Sequence, residues 1–229
     1  MIYALLSSRD QADALELRLA QLAATAAALP ERLRVVVVDD GSVDATSQVV
    51  HAFAGRLDVW LVRHVRPAGG AASLRTGLCL ALEDSGSPDD VLLALPLHAD
   101  AAAVAGIVAV LRKGSADVAV GSARPVPGPG LGRRVATLFG GLPISGKCAH
   151  VCARGFRMGV LPSLVASGAD RELSASGDGE AAAELERRAR ARGARCVRVG
   201  AAGSATVRGR RPRTAWRWAP AAAAARLCR

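Results

Sequence analysis

Aromatic side chains are scarce: three Trp, three Phe and one Tyr make up 3% of 229 residues. Proteins that bind single-stranded nucleic acid stack bases on aromatics interleaved with basic groups, so nucleic acid is not the partner expected. Long apolar runs are also missing. No stretch reaches the roughly 18 residues needed to cross a bilayer, and Met1–Leu6 is too short, and too soon interrupted by Arg9 and Asp10, to be a signal peptide. A cytoplasmic protein is expected, soluble or at most peripheral at the inner face of the membrane. The five cysteines are odd in number and scattered, which excludes the disulfide framework of small secreted domains. Cys148-Ala149-His150-Val151-Cys152 offers two thiolates and an imidazole, but a zinc site takes a fourth ligand and none lies nearby; the alternative is a pair of buried or loop thiols.

Acidic charge is in deficit, with 20 Asp and Glu against 30 Lys and Arg and a net charge of +10. Such an excess favours anionic partners, phosphate-bearing substrates or acidic lipid. It concentrates in Arg187–Arg198 and Arg208–Arg217. The second run includes Trp216 and ends beside Trp218, which suits either an anionic membrane surface or a solvated tail.

Half the residues are hydrophobic (51%), enough for one substantial core. Ile2–Leu6 reads as a strand, followed by a helix carrying Leu15, Leu17, Leu19 and Leu22. Arg34–Val38 is an uninterrupted β-branched run, as expected of a parallel strand buried on both faces, and Asp44–Ala54 reads as a helix. Strands at Val59–Val62, Val91–Leu95 and Ala116–Val120 alternate with helices ending near Leu82 and Leu111. Pro125–Pro143 is a proline- and glycine-rich loop. Glu180–Arg192 is a helix stopped by Gly193, and Cys196–Val199 is a last strand. This βα rhythm predicts an α/β domain over residues 1–205, a mainly parallel sheet covered by helices with ligands outside the carboxyl ends of its strands, and a basic tail over 206–229.

The most informative segment is Val35–Thr46, VVVVDDGSVDAT. Asp39 and Asp40 end a buried strand, Gly41 permits a tight turn, and Ser42, Asp44 and Thr46 open the next helix. Carboxylates there can accept hydrogen bonds from a nucleoside ring N–H or ribose hydroxyls, or they can cap the helix. The segment resembles the second-strand signature of family 2 glycosyltransferases, in particular the branch of dolichyl-phosphate mannosyltransferases, whose fold is GT-A. Further segments follow in the family's order. RPAGGAASLRTGL, Arg66–Leu78, matches at Gly69, Arg75 and Gly77; ADVAVGSAR, Ala116–Arg124, resembles the strand ending in a Gly-Ser-Arg turn. Arg154-Gly155-Phe156-Arg157 resembles the element that helps to build the acceptor side, and Glu184 with Ala191–Val197 resembles the last helix and strand.

The resemblance implies a nucleoside-diphosphate sugar as donor, held by Asp39, Asp40, Gly41, Ser42, Gly69, Arg75 and Asp10. Arg75 is a phosphate partner or an ordinary surface arginine. The acceptor, bound near Arg124, Gly155, Phe156 and Arg157, would be a polyprenyl phosphate or another hydroxyl compound. Several positions depart from the family. Where metal-dependent members carry Asp-x-Asp after the fourth strand, this chain reads Ala94-Leu95-Pro96, which supplies no side-chain oxygen for Mg²⁺ or Mn²⁺. His98 and Asp100 lie just beyond, as substitute ligands or as plain loop residues. Ser7-Ser8-Arg9-Asp10 replaces a Pro, aromatic and Glu pattern, leaving Asp10 as the acidic match. The family's Asn and Lys fall on Pro67 and Gly70, and its acidic residue before Gly-Phe-Arg falls on Val151. Two functions are therefore expected: a glycosyltransferase whose diphosphate charge is met by Arg75, Arg124, Arg154 or Arg157 in place of a cation, or a nucleotide-sugar-binding module of the same fold impaired in turnover.

Overall fold

Side chains alternate across each strand, and here the alternation sorts the core into two halves. The computed structural model describes residues 1–29, 31–99, 102–121, 152–165, 177–200 and 205–208. Asp100, Arg124, the Pro125–Pro143 loop, Cys148–Val151 and the tail beyond Arg208 lie outside them. Eight strands, β1 (Ile2–Ser8), β2 (Leu33–Asp39), β3 (Asp58–Arg63), β4 (Val91–Ala94), β5 (Val118–Gly121), β6 (Arg154–Arg157), β7 (Cys196–Val199) and β8 (Ala205–Arg208), form one sheet in the order β3-β2-β1-β4-β6-β5-β7-β8. Tyr3 and Leu5 of β1 and Val36 and Val38 of β2 face one side. There they meet Leu74, Leu78 and Leu82 of α3 (Gly70–Asp84) and Leu185 and Ala189 of α6 (Asp178–Ala191). Ile2, Ala4, Leu6, Val35 and Val37 face the other side. They meet α1 (Ala12–Ala28) through Leu15, Leu19 and Leu22, α2 (Thr46–Phe53) through Val50 and Phe53, and α4 (Ala102–Arg112) through Val104 and Ile107. With both faces covered, strand-end turns are where polar chemistry reaches solvent.

The expected α/β sheet is present, with four parallel and three antiparallel pairings among the described strands. The rhythm is broken at one place. β5 does not lie beside β4, because β6 inserts antiparallel between them, Leu92 opposite Phe156 and Val118 opposite Phe156. Arg154–Arg157 has an arginine at each end and no apolar run, so no strand pattern marks it. Its two central residues do the packing: Phe156 is fully buried in the α3 side of the core, and Gly155 lies under α4. Beyond β6 the chain makes a 3₁₀ turn, Met158–Val160, and a short helix, α5 (Leu161–Val165). β8 pairs antiparallel with β7, so the sheet extends through Arg208.

The fit around Gly155 is close. A Cβ there would stand 2.3 Å from Cγ2 of Ile107 and 2.8 Å from Cδ1 of Leu111. Gly155→Ala is therefore expected to lower stability by about 1–3 kcal/mol through overpacking. Gly55→Ala, where a Cβ meets nothing within 4 Å, should change it by less than about 0.5 kcal/mol. Urea unfolding of the two variants beside the wild type checks both.

Candidate functional site

The turns after β1 and β2 are tied to each other. Asp10 adopts φ 51°, a left-handed conformation that Asp tolerates better than most residues. Its N–H donates to Oγ of Ser42 at 3.0 Å, and its Oδ1 accepts from the N–H of Val43 at 2.8 Å. In the reverse direction, Oδ2 of Asp44 accepts from the N–H of Ala12 at 2.9 Å. Asp10 and Ser42 thus meet in a reciprocal brace between two βα turns. Gly41, at φ 75°, lets that brace pass Pro67, whose Cδ would lie 3.1 Å from any Cβ at position 41.

Asp39 and Asp40 divide the work. Asp39 is fully buried; it accepts from the N–H of Ser42 at 2.8 Å and the hydroxyl of Ser47 at 3.3 Å, and pairs with Nε of Arg63 at 3.5 Å. Asp40 turns toward the third βα unit. Its Oδ1 accepts from the N–H of Ala68 at 2.8 Å and stands 2.7 Å from Nδ1 of His64, while its Oδ2 accepts from the N–H of Gly69 at 2.8 Å. With Asp40 ionised, Nδ1 of His64 carries the proton, and Nε2 meets the hydroxyl of Thr76 at 3.0 Å. Burial works to raise the pKa of Asp40, but Ala68, His64 and Gly69 together hold it below the usual carboxylate range. Neither carboxylate caps α2, whose first turn is met by Asp44 through the N–H and hydroxyl of Thr46.

A cleft of about 380 Å³ opens above these ties, lined by Ser7, Ser8, Arg9, Gln11, Asp40, Gly69, Gly70, Ser73, Pro96, Leu97 and His98. It lies at the carboxyl ends of β1, β2 and β4. Gly69, at φ 91°, delivers the chain into α3, which has no side-chain cap. The first N–H groups of a helix have no intrahelical partner, and with the helix dipole they favour an anion. Within the cleft wall Ser8 is 3% exposed and its Oγ has no hydrogen-bond partner among the described residues. A buried orphan hydroxyl is costly, and Ser8 is part of the cleft wall.

Of the expected donor contacts, Asp40 and Gly69 line the cleft, whereas Asp39, Asp10, Gly41 and Ser42 brace the turns behind it. Arg75, half-buried on α3, does not line it. The expected acceptor residues are not brought there. Gly155 and Phe156 lie inside the sheet. Arg157, opposite Val91 at the amino end of β4, pairs with Asp89 and Asp117 on the far edge. Arg154 is 3% exposed and held by Glu186, Nε to Oε2 at 3.1 Å, so its charge is already matched. Sequence reasoning missed His64, Arg63 and Arg18. Arg18 had a signal, since it falls in the apolar stripe of Leu15, Leu19 and Leu22, where a buried arginine demands partners.

The segment after β4 offers little to a cation among the described residues. Ala94 and Leu95 are buried, His98 is exposed in the cleft, and the carbonyls of Pro96, Leu97 and Ala99 are taken by the guanidinium of Arg18. No group of three or more His, Cys, Asp or Glu residues able to hold a metal occurs among the described residues. Among the described residues of this segment, one imidazole beside inward-turned carbonyls does not make the oxygen-rich shell of Mg²⁺ or Mn²⁺; Asp100 lies outside them. No helix among the described residues is long and apolar enough to cross a membrane.

The sequence profile described as Glycosyl transferase family 2 matches residues 9–147. No curated protein matches the chain. The fold is similar to Staphylococcus aureus TarS 1-349 in complex with UDP, at 15% identity and TM-score 0.55 over 94% of this chain and 59% of that one. It is also similar to glucosyl-3-phosphoglycerate synthase from Mycobacterium tuberculosis in complex with Mn²⁺, UDP and phosphoglyceric acid. There the identity is 18% and the TM-score 0.54, over 92% of this chain and 71% of that one. A mannosyltransferase from Pyrobaculum calidifontis, in complex with GDP-Man and Mn²⁺, matches at 21% identity and TM-score 0.50, over 71% of this chain and 46% of that one. Against TarS and the mannosyltransferase the chain spans about half the partner's length.

Because the depressed pKa of Asp40 reflects bonds made in the folded state, its stabilisation is fully present above the unfolded carboxylate pKa near 3.9. It is lost as pH falls through the lower folded value. Asp40→Asn is expected to reduce stability at pH 7 by about 1–3 kcal/mol, with the gap to wild type closing below about pH 4. Urea unfolding at a series of pH values reads both the size and the direction.

Proposed function

We propose that this chain, which belongs to glycosyl transferase family 2, binds a nucleoside-diphosphate sugar in the cleft over β1, β2 and β4 and passes the sugar to a hydroxyl or phosphate acceptor. The observation that carries the reading is the conjunction of the uncapped start of α3 with the orphan hydroxyl of Ser8, both on the wall of one cleft. Two donor chemistries converge there, backbone N–H groups and a serine O–H, and a diphosphate accepts from both. The charge of Arg9, exposed on the rim, adds to the field. That similar structures were obtained with UDP or GDP-Man supports a nucleotide as the ligand class.

Binding and orientation are what this chain's own residues explain. Asp40 fixes the turn that starts α3, and the Asp10–Ser42 brace fixes the rim on which a nucleoside would rest. In this reading the Asp-x-Asp motif of metal-dependent relatives is lost at Ala94-Leu95-Pro96, and the acceptor is a polyprenyl phosphate, as in the branch that VVVVDDGSVDAT resembles, with Arg124 as a contact. The tail over 206–229 would contact an anionic membrane surface. A second reading is favoured by the segment Ala94–Ala99 specifically: a nucleotide-sugar-binding module impaired in turnover, because no described carboxylate there meets a departing diphosphate through a cation.

Titration with UDP- and GDP-sugars, with and without Mn²⁺, following heat and donor hydrolysis together, separates these readings. Binding with slow hydrolysis, indifferent to Mn²⁺, is the expected result; binding with none supports the module, and no binding at millimolar concentration rejects both. Ser8→Ala gives a sharper check. Since the Ser8 hydroxyl has no partner to lose, the variant is expected to unfold no earlier than wild type, yet to bind the nucleoside diphosphate about 3- to 10-fold more weakly. Thermal unfolding and calorimetry on the same samples measure the two effects.

A further inference from the structure

Arg18 stands where an amphipathic helix would carry leucine. It lies on α1 in the stripe of Leu15, Leu19 and Leu22 and is 2% exposed. A guanidinium drawn into an apolar layer is unfavourable unless its N–H groups are matched, and a segment 78 to 81 residues away supplies carbonyls for it. Nε donates to the carbonyl of Leu97 at 3.1 Å; Nη2 donates to Leu97 at 2.8 Å, to Pro96 at 3.4 Å and to Ala99. Outside this clamp the segment's backbone hydrogen bonds among the described residues include the N–H of Leu95 to the carbonyl of Leu5 and the N–H of Ala99 to that of Pro96. It is past the end of β4 and has no ladder of its own.

Pro96, Leu97 and His98 form the wall of the cleft across from Gly69 and Gly70. Carbonyl oxygens facing into that cleft would repel a diphosphate. Because Arg18 is buried, the oxygens it holds point into the protein, and its own charge stands directly behind the wall. We infer that Arg18 is a positioning residue that makes this wall compatible with an anion, by turning three carbonyls inward and fixing a positive charge beneath them. The inference rests on the nucleotide-diphosphate reading of the cleft for its ligand, and on the Arg18 contacts alone for its geometry. It also gives the arginine a task that a leucine in the same stripe could not perform, since a planar fork of donors can serve several carbonyls at once and an apolar side chain serves none.

The test compares wild type, Arg18→Met and Arg18→Lys in two measurements on folded samples. Hydrogen exchange follows the amides of residues 95–99, and calorimetry follows UDP, GDP, inorganic pyrophosphate and the free nucleosides. The expected result is faster exchange confined to 95–99 in both variants, with diphosphate and pyrophosphate affinity falling about tenfold or more while nucleoside affinity stays within about twofold. Lysine keeps the charge but loses the Nε donor to Leu97 and the fixed geometry of the guanidinium plane, so it should rescue only part of the loss. If Arg18→Met does not fold, Arg18→Lys carries the comparison. Unchanged diphosphate affinity, or an equal loss for nucleoside and diphosphate, overturns the inference and leaves Arg18 a packing residue. If wild type binds none of these ligands, the nucleotide reading fails and the anion-compatible wall fails with it. Local exchange then still shows whether Arg18 organises the segment.

Discussion

Three pieces of chain meet at the carboxylate of Asp40: the end of β2 from which it projects, His64 just past β3, and the Ala68–Gly69 turn that starts α3. Each oxygen is committed. A buried carboxylate is tolerable only when such donors surround it, and here the donors are backbone N–H groups that no strand or helix would otherwise satisfy. The arrangement places Gly69 at positive φ and aims the open first turn of α3 over the ends of β1 and β4. The cleft exists because that turn is held away from the sheet at a fixed height.

Opposite Asp40, a cation plays the matching part. Arg18 gathers the carbonyls of the segment after β4 as Asp40 gathers the N–H groups of the turn before α3. One wall of the cleft presents the uncapped first turn of α3, which the Asp40 contacts set in place, and the other has its acceptors turned away. Both arrangements bias the space between them toward negative charge. The price of such buried ions is a narrow tolerance: removing either one strands several backbone groups together.

The sheet was largely legible. Arg34–Val38, with no polar interruption, declares a strand buried on both faces, and Asp39-Asp40-Gly41-Ser42 declares a functional turn at its carboxyl end. What could not be read was β6. Arg154–Arg157 looks like a polar loop because its two buried positions are a glycine, which fills the space under Ile107 and Leu111, and a single phenylalanine. Its neighbours β4 and β5 are distant in sequence, and pairing between distant strands leaves no local pattern. The same limit hid that Phe156 lies in the core and that Arg157 stands opposite Val91, at the amino end of β4.

The sequence by itself determined the α/β class, the strand that carries Asp39 and Asp40, and the absence of side-chain oxygens at Ala94-Leu95-Pro96, because periodicity and residue chemistry are local properties. Only the tertiary structure decided which carboxylate faces the cleft. Asp39 and Asp40 are adjacent and chemically identical, yet strand alternation sends one to Ser42 and Ser47 and the other to Ala68 and Gly69. Tertiary structure likewise decided that Arg154 is spent on Glu186 and Arg18 on the segment after β4. A charge takes its meaning from the partners within hydrogen-bonding reach, and those partners come from parts of the chain that only folding brings together.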